Sequence, residues 1–167
     1  MNAPLSVGST DAARMKLIEA VANDASGFLG VDPATDSPAS IVKKIDATIV
    51  DIVFGKPAPI PDTEEKHLVL GCIWGAQIVR EFGWSWADIR SGDALDVAVV
   101  SPSKDMVIYP LTFVAECIQK SRICTVELSF NMLRERKGDA IFQSNGYENV
   151  MTHIRHIVPP YALEKRS

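Results

Sequence analysis

The most regular hydrophobic pattern in the chain begins at Ile41. Ile41, Ile45, Ile49, Ile52 and Val53 recur at i, i+4, i+8, i+11 and i+12, while Lys43, Lys44, Asp46 and Asp51 fall largely off that stripe. The spacing predicts an amphipathic helix with one buried face. Ser37 is its expected cap, and Pro38 suits a first helical turn. An earlier helix is expected from Thr10-Asp11, with Met15, Ile18, Val21 and Ala22 at helical spacing and Gly27 or Gly30 at its end. Residues 1–9 are small and polar and read as a flexible leader; residues 30–37 read as a loop.

Three prolines between Pro57 and Pro61 exclude a regular helix or a central strand there. Asp62 and Glu65 then form a variant of the capping box, opening a helix that stops at Gly83. That helix is apolar round most of its circumference, through Leu68, Val69, Leu70, Cys72, Ile73, Trp74, Ala76, Ile78, Val79 and Phe82. Such a helix is buried rather than half-exposed. Gly71 and Gly75, four positions apart, invite another backbone close to one side.

Past Gly83 the period shortens from helical to alternating. Residues 84–89, 95–100 and 106–109 read as strands joined by turns at Ser91-Gly92-Asp93 and at Ser101 to Asp105, which makes an antiparallel meander. Pro110 starts a further helix with Phe113, Val114, Cys117 and Ile118 inward. Residues 123–133 fit both strand and helix, and helix is preferred. A last helix is expected from Asn145-Gly146 through His156, ended by Pro159-Pro160. The expected architecture is α+β: N-terminal helices, a buried central helix, a three-stranded antiparallel meander and C-terminal helices, all one domain over residues 10–167.

The 167 residues carry 17 bases and 21 acids, a formal charge of −4. No basic run is long enough for the basic face that nucleic-acid binding needs. The longest apolar run, near Leu68 to Ala76, is far short of a membrane span, and Met1 to Leu5 lacks the features of a secretory signal. A cytoplasmic setting is the expectation. Residues 1–100 carry 14 acids against 8 bases, whereas residues 101–167 carry 7 against 9. Cys72, Cys117 and Cys124 form no Cys-x-x-Cys pair, which argues against a zinc knuckle or a disulfide framework.

Demanding catalytic motifs are missing: no phosphate loop, no dinucleotide fingerprint, no nucleophile elbow and no paired-histidine zinc helix. His153 and His156 would share a helix face, but two ligands are fewer than a zinc site uses. Neither a metal nor a cofactor is expected. Cys117 and Cys124 sit in no nucleophile signature, and Glu64/Glu65 and Asp93/Asp96 read as helix-start and turn residues. Trp84 and Trp86 share a strand face; they anchor the core if that face packs on the central helix, and form a ligand or partner platform if it is open.

Leu70 to Val79, the segment Phe82-Gly83-Trp84-Ser85-Trp86, Val99-Val100-Ser101-Pro102 and Tyr109-Pro110-Leu111 together resemble a loosely defined bacterial family of small cytoplasmic domains with no assigned activity. The resemblance covers about residues 65–120 and brings no catalytic residues with it. Some similar small acidic domains resemble immunity proteins of bacterial toxin systems. The expected function is a non-enzymatic protein-binding domain, in its most concrete form one that neutralises a toxin or effector by occlusion. Asp11, Asp24, Asp46, Asp51, Trp84 and Trp86 are its candidate contacts, and its partner would present a basic surface. The rivals are a small-molecule site or minor enzyme with a pocket between meander and central helix, and a secretion chaperone.

Overall fold

The computed structural model describes residues 5–104, 106–119, 124, 126–135 and 154–156. Asp11 caps helix α1 (Ala12–Leu29) by accepting from the Arg14 backbone N–H at 2.8 Å, and Gly30, left-handed at φ 65°, ends it. Ser37 caps α2 (Pro38–Val53), accepting from Ser40 N–H at 3.2 Å. Helix α3 (Lys66–Phe82) ends at Gly83, φ 68°. Its start differs from the capping-box expectation: Glu65 is the cap position and makes no side-chain cap bond. Helices α4 (Pro110–Gln119) and α5 (Val126–Arg134) follow the meander, so the ambiguous segment is helical from Val126 onward.

Among the described residues the sheet has five strands in the order β1 (Leu5–Ser9), β2 (Ser85–Ser91), β3 (Ala94–Val100), β4 (Met106–Ile108) and β5 (Ile154–His156), every neighbouring pair antiparallel. The meander is therefore the middle of a wider sheet. Two expectations are corrected here. Residues 5–9 are no leader: they pair with β2 from Leu5 opposite Ser91 to Ser9 opposite Ala87. Residues 154–156 are a strand along β4, not the end of a helix; residues 145–153 of that expected helix lie outside the described residues, as does His153. Helical spacing consequently does not apply at His156.

Helix α3 lies at the centre, between α1 and α4 and over β2 and β3, while α2 and α5 pack mainly on other helices. Nine of its residues, among them Leu70, Ile73, Trp74 and Ile78, are buried, as its all-round apolar pattern requires. The two glycines are where neighbours close in. A Cβ on Gly71 would stand 2.9 Å from Leu111 Cα, and one on Gly75 would meet the Trp86 ring and, at 3.1 Å, Pro110 Cγ. Trp74 lies against Phe113, ring centroids 4.8 Å apart. Arg80 holds the loop before α2 to α3, donating to the Asp36 carbonyl at 2.9 Å and to Gln77 Oε1 at 3.0 Å. A second, smaller apolar cluster, Ala87, Ile89, Ala98, Val100 and Val107, occupies the other face of the sheet.

Candidate functional site

Trp84 and Trp86 are core residues, 6% and 9% exposed. Trp84 precedes β2 and packs near Phe82, centroids 6.5 Å apart. Trp86, the second residue of β2, lies with its ring over Gly75. The platform reading of these two rings is thereby corrected: the face that carries them is closed by α3. The same packing fills the place where a pocket between central helix and meander would lie at Gly75.

The four candidate aspartates do not form one surface. Asp46, on α2, is half-buried. Its Oδ1 accepts from the Glu127 backbone N–H at 3.0 Å and from the Cys124 thiol at 3.1 Å. It therefore caps α5 across the fold, a task a solvated surface charge does not have. Asp51 is also half-buried on α2. Asp11 is the α1 cap and lies 3.3 Å from the Arg14 guanidinium. Asp24 stands exposed on α1.

Helix α1 carries two lines of residues with the same spacing. Ile18, Ala22, Ala25 and Leu29 are buried against the rest of the domain. Ala13, Leu17, Ala20 and Asp24 run along the outer side, all exposed, with Lys16 and Asn23 beside them. The two lines are offset by five positions, which places them on nearly opposite sides of the helix. Leu17 is 64% exposed. The sequence reading passed over Leu17, although Ala13-Leu17-Ala20 at i, i+4 and i+7 is visible in the chain. Helix α1 is fixed to the sheet by Arg14, whose Nη1 lies 2.5 Å from Asp88 Oδ2 on β2. That hydrogen bond holds the guanidinium pKa above its usual value.

A groove of about 310 Å³ lies between the start of α3 and the end of α4. Asp62, Thr63, Glu64, Glu65, Lys66 and His67 form one wall, and Ala115, Ile118 and Gln119 the other. His67 Nδ1 is 3.4 Å from Glu65 Oε2. Its residues come from segments about fifty positions apart, so no local pattern announced it. Among the described residues no group of three or more His, Cys, Asp or Glu side chains is placed to hold a metal ion. No described helix is long and apolar enough to cross a membrane.

No family model and no curated protein matches the chain. It is similar in structure to a protein of Bacteroides thetaiotaomicron VPI-5482 known from a crystal structure, with a TM-score of 0.57 and 14% identity. The match covers 81% of this chain and 49% of that one, so this chain spans about half the length of its neighbour. At that identity the likeness concerns the fold.

Proposed function

We propose that the chain is a non-enzymatic, cytoplasmic protein-binding domain whose docking surface is the outer side of α1. The observation that carries this reading is Leu17, 64% exposed and in line with Ala13, Ala20 and Asp24. The helix already buries one apolar line in its own domain, so its second line has no partner within the described residues. Covering it recovers roughly 25 cal/mol for each Å² of apolar surface removed from water. The partner has an apolar pocket for Leu17 and a basic rim, because the first 100 residues carry 14 acids against 8 bases. In its most concrete form it is a bacterial toxin or effector whose active site this domain occludes, as the family resemblance implies.

The test is a comparison of wild type and Leu17→Arg as tagged full chains in native extracts, followed by rebinding of the recovered protein in purified form. A stoichiometric partner that rebinds wild type and loses affinity for Leu17→Arg is the expected result. A partner that binds both equally refutes the α1 surface. A second reading, a site for a small cationic ligand, is supported by the acid-lined groove beside α3. Calorimetric titration with a polyamine checks it, and heat unchanged by Glu64→Gln and Glu65→Gln rules it out.

A further inference from the structure

The sheet ends on β1, and among the described residues no strand lies outside it. Ser6, Gly8 and Ser9 are exposed. An edge strand offers unpaired N–H and C=O groups to another chain unless charge, proline, a bulge or a covering element blocks it. Leu5 to Ser9 hold no charge and no proline, and their consecutive pairs with β2 leave no bulge. The opposite edge, β5, carries Arg155 and His156. Helix α1 adds a second uncovered surface at the β1 end. Helix α3 packs between α1 and α4, and α4 touches β3, so α1 stands on the β1 side of the helical layer. Arg14 ties it to Asp88, which lies opposite Gly8 of β1. The buried line of α1 faces α3, so Ala13, Leu17, Ala20 and Asp24 look away from it, past the open edge of the sheet.

We propose that two copies of the chain associate through this end, β1 against β1 in antiparallel pairing about a two-fold axis at Val7, with the outer line of one α1 packed on that of the other. Pairing about Val7 sets Ser6 opposite Gly8 and Val7 opposite Val7, so no side chain of the strand pair meets a like charge. The same two-fold operation runs the two α1 helices antiparallel and brings exposed Lys16 of one copy toward Asp24 of the other. Ala13 and Ala20 are small enough to let the helices close on Leu17. A stable interface buries about 1,200–2,000 Å² in total. A five-residue strand falls short of that alone, and the α1 line, about 16 Å from Ala13 to Asp24, supplies the remainder. The pair comes apart on dilution, so melting followed at low concentration reports the single chain. Its regulatory effect rests on the outer α1 line being the docking surface proposed above: a protein partner must displace the second copy to reach Leu17.

Sedimentation equilibrium of the untagged full chain over a wide range of concentration tests this, with amide hydrogen exchange of residues 5–9 followed alongside. The expected mass rises from that of one chain, 18.2 kDa, to that of two, and exchange along β1 slows as it does. Ser6→Glu faces Arg90 on β2, an opposite charge that keeps β1 in place, but it sets two like charges beside the axis. It is expected to remain a single chain, as is Leu17→Arg. Ser6→Glu leaves α1 untouched and should keep its protein partner, which tells loss of self-pairing apart from loss of partner binding. A wild-type mass of one chain at every concentration overturns the proposal and leaves the partner reading standing. A pair that forms equally in Ser6→Glu or in Leu17→Arg overturns it too. Should Ser6→Glu not fold, wild-type exchange along β1 that is indifferent to concentration decides against it.

Discussion

A methyl group added at Gly75 runs into the Trp86 ring and Pro110, whereas one added at Gly27 on α1 meets nothing within 4 Å. The same class of substitution should therefore have opposite signs at the two sites. Gly75→Leu is expected to lower stability by about 1–3 kcal/mol through overpacking. Gly27→Ala should raise it by about 0.5–1 kcal/mol, because alanine is the better helix former. Urea denaturation midpoints check both, and a Gly75→Leu midpoint equal to wild type would mean that Trp86 is not seated on α3. Cys72 makes a titration visible at the same scale. Burial pushes its thiol up from 9.0 to about 11. The unfolded chain then ionises first, so the contribution of Cys72 to stability is whole below pH 9.0 and is lost toward pH 11. Stability of wild type should fall more steeply across that window than stability of Cys72→Ala, measured by denaturation at graded pH. Parallel curves would place Cys72 in contact with water.

Helix α5 depends on an acid from another helix. The Asp46 side chain accepts the Glu127 backbone N–H, one of the donors that a helix start leaves without a partner. Asp46→Ala should cost about 1 kcal/mol, the usual value of a lost cap. Asp24→Ala, on the outer line of α1, should stay within about 0.5 kcal/mol of wild type, as exposed positions do. Thermal unfolding followed by circular dichroism separates them, and equal melting temperatures would return Asp46 to the solvated surface. This is also where the sequence was least legible. The stripes of α2 and α3, the caps at Asp11 and Ser37 and the alternation of β2 and β3 are local patterns, written within one turn or one hairpin, and could be read directly. Asp46 looked like one more charge off an apolar stripe, because the atoms it serves lie about eighty positions further on. Strand β1 hid for the same reason: its five residues become a strand by pairing with Ser85–Ser91. Pairing of that range leaves no periodic trace in so short a segment.

At the scale of the whole molecule, the fold divides its side chains into two groups. Most of the large aromatics turn inward, Trp74, Trp84, Trp86, Phe113 and Phe130 being buried together with Cys72 and Cys117, while Phe54, just past α2, stands 75% exposed. The acid excess of residues 1–100 remains largely outside, with Asp24, Asp32, Asp62, Glu64 and Glu65 all exposed. On the proposed reading, the acidic, partly apolar exterior is what recognises another molecule. It also carries a kinetic consequence, since steering by opposite charge raises association rates and is screened by salt. The sharpest test is the association rate between this chain and the partner recovered with it, measured by stopped flow from low to physiological salt for wild type and Leu17→Arg. The rate for wild type should drop several-fold as salt rises, and Leu17→Arg should dissociate much faster while melting at the wild-type temperature. A rate indifferent to salt together with unchanged dissociation of Leu17→Arg would contradict the account.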